Sequence, residues 1–128
     1  MTPFGRYLAT LRLNRQVKQK ELAEALGVDP SYISAIESGK KPPPSNRVIR
    51  EIVGELALPK DEEALLWNYA DQSIRVMHIP DDLPLETYAL IQEFRKSLKS
   101  LSAGQVNVIR SVISMERNDC NERLNTNI

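Results

Sequence analysis

Side chains able to carry out covalent or metal chemistry are scarce in this chain of 128 residues. It has one histidine, His78, and one cysteine, Cys120, so we expect no intramolecular disulfide, no metal site and no cofactor. The neighbouring carboxylates Asp81 and Asp82 fit a solubilising linker better than an acid–base pair, because no nucleophile accompanies them. No phosphate-binding glycine loop is present either, so we do not expect an enzyme.

The charges of the chain are divided unevenly, although its net charge is zero. Residues 1–50 hold nine Lys or Arg against four Asp or Glu, whereas residues 51–128 hold eight against thirteen. This asymmetry indicates a polyanion-binding part joined to a part with another role, with chance as the alternative.

Hydroxyl and cationic side chains recur between residues 31 and 47. Hydroxyls bond base edges or phosphates, and ammonium and guanidinium groups neutralise phosphate charge. The alternative is that the cationic side chains only contact solvent and bind no phosphate. The cationic candidates for phosphate contact are Lys40, Lys41 and Arg47.

The apolar periodicity predicts an all-α chain of seven helices. Five fall within residues 1–72, at 4–14, 18–26, 30–38, 45–58 and 61–72, and two follow at 84–101 and 102–117. We therefore expect a first domain over 1–72, a linker over 73–83, a helical pair over 84–117 in the form of a hairpin, and a flexible tail over 118–128. No apolar run is long enough to cross a bilayer, so we expect a cytoplasmic protein that has no membrane partner.

The second and third predicted helices are joined by a sharp turn. Gly27 suits the left-handed conformation that ends a helix, and Asp29 followed by Pro30 suits the start of the next one. Such a pair is a helix-turn-helix, whose second helix enters the major groove of DNA. An ordinary helix pair, or a domain that keeps only protein contacts, is the alternative. With Ile33 and Ile36 facing the core, the groove-facing candidates are Ser31, Tyr32, Ser34 and Ala35.

The stretch from Gln19 to Lys40 resembles the Cro/C1-type helix-turn-helix domain of transcriptional regulators, the XRE family, and the resemblance covers roughly residues 4–72. It implies that Gln19 grips a phosphate or helps to order the third helix, and that Ser38 and Lys40 contact phosphates. It also implies that Glu37 pairs with Arg12 on the first helix.

The same resemblance implies that Ala23 and Gly27 allow a close helix crossing. Two features depart from the family pattern. Gln16 stands where a glycine often ends the first helix, so that end lacks its usual signal, and three prolines, at 42–44, stand where one is usual. The prolines predict a stiff loop that presents Lys40, Lys41 and Arg47 in a fixed way.

The resulting expectation is a sequence-specific regulator of double-stranded DNA that is nucleoid-associated when bound. It is expected to be a repressor that binds a palindromic operator as a homodimer, with the third helix of each copy in one half-site. No arginine or glutamine lies on the groove-facing side, so much of the discrimination should come from DNA shape.

The last two predicted helices carry more apolar residues than a helix pair can bury. We expect a homodimer formed partly here, the alternatives being packing on the first domain or an antitoxin-type module whose acidic C-terminal helices bind a protein partner. The surface expected to meet a second copy or a partner comprises Ile91, Phe94, Leu98, Leu101, Ile109 and Ile113.

Overall fold

The computed structural model of the chain describes residues 1–115. It contains helices α1 (Pro3–Asn14), α2 (Gln19–Leu26), α3 (Pro30–Ser38), α4 (Asn46–Glu55), α5 (Lys60–Gln72), α6 (Leu85–Ser97) and α7 (Ala103–Ile113). The described range holds no strand. The all-α expectation is therefore confirmed.

Three helices end earlier than the apolar pattern predicted. Helix α4 stops at Glu55 rather than near residue 58, because Ala57 takes a left-handed backbone with φ 50°. Helix α6 stops at Ser97 rather than at residue 101, and α7 stops at Ile113 rather than near residue 117. The predicted tail at 118–128, with Cys120, lies outside the described residues.

Local signals set the helix ends, and those around Gly27 and Asp29 are as predicted. Gly27 ends α2 with φ 70°, and Asp29 caps α3 by accepting a hydrogen bond of 2.8 Å from the Ser31 backbone N–H. Ser102 and Gln105 form a reciprocal capping box at the start of α7. Each of these contacts spans three residues or fewer, so it could be deduced from neighbouring residues alone.

The chain forms two compact units, residues 1–78 and the residues from 79 on. In the first unit α1 packs against α3 and α5, and α2 packs against α3 and α4. Among the described residues, the buried apolar side chains all come from this unit: Phe4, Leu8, Leu11, Leu22, Ala23, Ile33, Ile36, Ile49, Ile52, Leu56, Leu58 and Leu66.

Helix α1 closely approaches the end of α3 at Gly5. A Cβ at this position would come within 2.2 Å of the Ile36 carbonyl oxygen and 2.8 Å of the Glu37 carbonyl oxygen. Only glycine fits there. The role implied for Gly27 is corrected, since a Cβ at Gly27 would meet nothing within 4 Å; that glycine provides the turn between α2 and α3, not a close crossing.

In the second unit, neither α6 nor α7 holds a buried residue. Of the six residues expected to form a dimer or partner surface, Ile91, Leu101 and Ile109 are half-buried. The other three, Phe94, Leu98 and Ile113, are 40%, 54% and 77% exposed. The apolar surface of these helices is thus largely open to solvent.

The expectation that the C-terminal helices are acidic is wrong. Helix α6 carries Glu86 and Glu93 against Arg95 and Lys96, and α7 carries Arg110 as its one charged residue. The acidic excess of residues 51–128 therefore lies elsewhere, in part on the first turn of α5 at Asp61, Glu62 and Glu63.

No helix within residues 1–115 is long and apolar enough to cross a membrane.

Candidate nucleic-acid interface

Helix α3 has one buried face and one face open to solvent. Ile33 and Ile36 are each 1% exposed and belong to the core, while Ser31, Ser34 and Ser38 are exposed. The apolar face fixes the rotation of the helix about its axis. The hydroxyl-bearing face is therefore the one that a DNA groove could meet.

Tyr32 and Ala35, the other two groove candidates, are half-buried at the flank of α3. The Lys41 ammonium lies 5.3 Å from the centre of the Tyr32 ring, a cation–π contact. The Lys41 backbone N–H also donates 3.1 Å to the Ala35 carbonyl. These contacts join the loop after α3 to the flank of the helix, a pairing that no sequence spacing announces.

Two serines of α3 already use their hydroxyl protons. Ser31 Oγ donates to Asp29 Oδ1 at 2.6 Å, and Ser38 Oγ donates to the Ala35 carbonyl at 3.2 Å. The side-chain hydrogen bond from Ser31, followed by its backbone N–H bond, lowers the pKa of Asp29 below its ordinary value. In this arrangement both hydroxyls offer a lone pair outward, and Ser38 has to release Ala35 before it can donate to a phosphate.

Arg12 and Glu37 form a bidentate ion pair between α1 and α3. Arg12 Nε lies 2.8 Å from Glu37 Oε2, and Nη2 lies 3.0 Å from Oε1. The two side chains are 10% and 7% exposed. Arg12 Nη1 also donates 2.8 Å to the Val17 carbonyl. The hydrogen bond to Glu37 is the main reason that the pKa of Arg12 is raised, so Arg12 keeps its positive charge and the bidentate contact holds α3 against α1.

Gln19 contributes to the same cluster. Its Nε2 donates 2.9 Å to Glu37 Oε1, so the side-chain donor points to α3 rather than to solvent. Of the two roles implied for Gln19, this contact corresponds to ordering the third helix. A phosphate contact would require the amide to leave Glu37.

The predicted phosphate-binding cations lie in or near the loop after α3. Lys40, Lys41 and Arg47 are exposed, and Arg47 keeps 81% of its side chain exposed, with Nε 3.8 Å from Glu51 Oε1. Such a long contact at an exposed site contributes little. The guanidinium of Arg47 is therefore accessible to an anion.

The loop is fixed at its first residue by contacts that sequence reasoning missed. Gly39 has φ 82°, and a Cβ there would lie 2.7 Å from Met1 Cα. Its carbonyl accepts a hydrogen bond from the guanidinium of Arg75. Because 36 positions separate the two residues, no local pattern could have paired them. Lys40 and Lys41 thus follow an anchored residue.

Two further residues that the sequence did not single out hold the scaffold. Arg15 Nε donates 2.7 Å to the Leu56 carbonyl, and its Nη2 lies 2.6 Å from Glu62 Oε2. Ser73, which the sequence placed at the start of the linker, is 4% exposed and accepts a 3.0 Å hydrogen bond from the Phe4 backbone N–H. This bond satisfies a donor of the first turn of α1.

Residues 1–115 hold no group of three or more His, Cys, Asp or Glu side chains that could bind a metal ion. His78, Asp81 and Asp82 are all exposed.

Comparison with known proteins agrees with this geometry. Residues 3–66, which run from the start of α1 into α5, match the model of a family described as "Helix-turn-helix domain". The chain is also 36% identical, over 59 residues, to the uncharacterized HTH-type transcriptional regulator RghRB of Bacillus subtilis (strain 168). That match covers 46% of this chain and 42% of the relative. No solved structure matches the chain significantly. The chain belongs to the helix-turn-helix domain family, in the Cro/C1-type form that its sequence resembles.

Proposed function

We propose that this protein is a sequence-specific DNA-binding transcriptional regulator that represses from a palindromic operator as a homodimer. Helix α3 of each copy enters the major groove of one half-site, and the two half-sites lie about one helical turn apart or a multiple of it.

The observation that carries the proposal is the two-sided construction of α3. Its apolar residues Ile33 and Ile36 are buried, and the hydrogen bonds that Glu37 accepts from Arg12 and Gln19 hold its end. Its hydroxyl-bearing side is left exposed. A helix held this firmly, with its polar face outward, is suited to reading a groove.

The exposed cations Lys40, Lys41 and Arg47 beside α3 contact phosphates in this proposal, and Ser38 and Gln19 are further candidates. Each cation that neutralises a phosphate releases counterions, so affinity should fall steeply with salt. Base contact falls to Ser31, Tyr32, Ser34 and Ala35. Hydroxyls and a methyl group discriminate weakly between bases, so DNA shape should supply the rest.

The homodimer is proposed to form partly through α6 and α7. Phe94, Leu98 and Ile113 are exposed, and neither helix buries a residue. A second copy that covers these side chains would remove apolar surface from water.

Fluorescence anisotropy with labelled duplexes tests the role in DNA binding. The double variant Lys40→Ala/Lys41→Ala should bind every duplex more weakly, and the slope of log affinity against log salt should be reduced by about 2, at about 0.9 per lost phosphate contact. The double variant Lys60→Ala/Lys99→Ala removes the same charge at other exposed positions and should keep the wild-type slope.

If wild-type protein associates with no duplex at low salt, the proposed function is wrong. If the loss in Lys40→Ala/Lys41→Ala is confined to one operator sequence, these lysines read bases and the phosphate assignment is wrong. Genome-wide footprinting would identify the operator, and a reporter gene under its control would show whether binding represses.

A second candidate function is supported by the same open apolar surface: a protein-interaction module, of the antitoxin type, whose C-terminal helices hold a partner while DNA binding serves autoregulation. With two acidic and two basic residues on α6, such a partner would be held by apolar contact rather than by charge. Purification from the native host distinguishes the two. A second protein in a stoichiometric complex supports this candidate, and a bare homodimer contradicts it.

A further inference from the structure

Lys41 is held against α3 at two points, one on its backbone and one on its side chain. Its backbone N–H donates 3.1 Å to the Ala35 carbonyl, and its ammonium lies 5.3 Å from the centre of the Tyr32 ring. Tyr32 and Ala35 stand three residues apart, so they share one side of the helix. The Lys41 side chain therefore lies along the flank of α3, although the residue belongs to the loop that follows.

Tyr32 offers a firm support for that ammonium. Its side chain is half-buried and packs against the hydrophobic core of the first unit, so its ring has a fixed place on α3. Lys41 is exposed, and an exposed lysine on its flexible stem samples many rotamers. A cation over the face of a tyrosine ring is attracted by the ring quadrupole. The ring therefore favours the rotamers that keep the ammonium beside α3.

The contact with the ring leaves the ammonium able to bind an anion. An ammonium group carries three N–H donors, and a ring face meets only one side of it. The ion pairs found within residues 1–115 do not include Lys41, so no carboxylate of this range pairs with it. Donors and charge both remain for a phosphate oxygen.

We propose that Tyr32 is a positioning residue for Lys41, whose ammonium it holds at the flank of α3 for contact with a DNA phosphate. The inference rests on the proposed DNA-binding function, and it gives the Tyr32 ring a role besides the base contact named above. Because the ring restricts the Lys41 side chain before DNA is bound, less conformational freedom is lost when the phosphate contact forms. Among the described residues, Lys40 lies over no aromatic ring, so it serves as the matched control.

A double-mutant cycle on the full-length chain tests this role. The probe is a labelled duplex of mixed sequence at low salt, because binding to such DNA depends almost entirely on phosphate contact and base contacts of Tyr32 do not enter. Tyr32→Leu keeps an apolar side chain but loses the ring. It should bind the duplex about two- to fivefold more weakly, the worth of a cation–π contact at an exposed site. In a Lys41→Ala background the same substitution should change the affinity little, and in a Lys40→Ala background it should keep its full effect.

The conservative variant Tyr32→Phe separates the ring from its hydroxyl. Phenylalanine also attracts a cation over its face, so this variant should bind the mixed-sequence duplex as the wild type does. A readout without DNA comes from NMR of the free protein. The Tyr32 ring current should shift the Lys41 side-chain protons nearest the ring upfield, and this shift should be kept in Tyr32→Phe and lost in Tyr32→Leu. Circular dichroism checks the helical fold, and Tyr32→Met takes the place of Tyr32→Leu if the leucine variant does not fold.

The inference is wrong if Tyr32→Leu weakens binding equally with and without Lys41, or if Tyr32→Phe binds as weakly as Tyr32→Leu. It is also wrong if the wild type shows no ring-current shift at Lys41. Binding of Tyr32→Leu that equals or exceeds that of the wild type would mean that the ring withholds the ammonium from phosphate, the opposite of the proposed role. In each of these cases wild-type protein still binds DNA, so the proposed function stands. If wild-type protein binds no duplex at low salt, the proposed function fails, and this inference fails with it.

Discussion

At the scale of single residues, Gly5 is a position where a side chain does not fit. A side chain there would overlap the carbonyl oxygens of Ile36 and Glu37, and backbone at the end of a packed helix moves aside only with difficulty. We expect Gly5→Ala to lower the free energy of unfolding by about 3 kcal/mol, the upper range for overpacking. Urea denaturation of the purified variant measures this.

Gly54 offers the matched control for that substitution. It lies inside α4, and a Cβ there would meet nothing within 4 Å, so the glycine weakens the helix without serving a close contact. Gly54→Ala should therefore raise the free energy of unfolding by about 0.5–1 kcal/mol. If both substitutions destabilise the protein alike, steric overlap is not the reason for Gly5.

Gln16 ends α1 in a conformation that favours glycine. Its φ is 56°, and a non-glycine residue in this region is strained by about 1–2 kcal/mol. Gln16→Gly relieves that strain, but glycine also gives the unfolded chain more conformational entropy, which stabilises the unfolded state by about 0.4–1 kcal/mol. We therefore expect Gln16→Gly to raise the free energy of unfolding by about 0.5–1 kcal/mol, measured by thermal or urea denaturation. Lys20→Gly, at an exposed position within α2, is the control. If Gln16→Gly lowers the free energy of unfolding as much as Lys20→Gly does, the backbone of Gln16 is not strained.

At the scale of elements, the start of α3 depends on an ionised cap. Because the pKa of Asp29 is lowered by its bonds from Ser31, the carboxylate is favoured in the folded chain. Its contribution to stability is fully present above the ordinary pKa of 3.8 and is lost as the pH falls through the lower, folded value.

We expect the Asp29 carboxyl resonance to titrate below pH 3.8 in NMR. We also expect Asp29→Asn, which caps without titrating, to lose this part of the acid sensitivity while keeping α3. A midpoint at or above the ordinary value would contradict the proposed cap.

Elements whose signals are local could be predicted from the sequence, and long-range contacts could not. Gly27, Asp29 and the pair Ser102 and Gln105 act within a few residues, so their roles could be deduced from neighbouring residues. The bonds from Arg75 to Gly39, from Arg15 to Leu56 and from Phe4 to Ser73 span 36, 41 and 69 positions. They depend on how α1, α3, α4 and α5 pack, which periodicity does not encode.

The candidate interface was predictable to a similar extent. Apolar periodicity alone predicted that Ile33 and Ile36 are buried, and their burial determines which side of α3 faces outward. The resemblance to the Cro/C1 type supplied the pair of Arg12 and Glu37, which spacing could not. The earlier ends of α6 and α7 had no such signal, because their apolar residues continue past the point where each helix stops.

At the scale of the whole molecule, the two units differ in how they are stabilised. The buried apolar residues of the described chain all lie between Phe4 and Leu66. We expect a fragment of residues 1–78 to fold with a thermal midpoint no more than about 4–8 °C below that of the full chain, the shift that corresponds to about 1 kcal/mol.

A fragment of residues 1–72 provides the comparison. It lacks Ser73, which bonds the Phe4 N–H, and Arg75, which bonds the Gly39 carbonyl. The buried Phe4 donor would then be left unsatisfied, which is worth about 1–3 kcal/mol. Differential scanning calorimetry should therefore show a clearly lower midpoint for 1–72 than for 1–78. Equal midpoints would mean that these two bonds do not stabilise the first unit.

The position of the single tryptophan gives the molecule an intrinsic optical reporter. Trp67 is half-buried on α5 and borders a groove shared with Ile74 and Val76, and the second unit has no indole among its residues. Emission excited selectively at the indole band therefore follows the first unit alone. Unfolding of the first unit would expose that ring and shift its emission to longer wavelength, so the stability of this unit can be followed without any label.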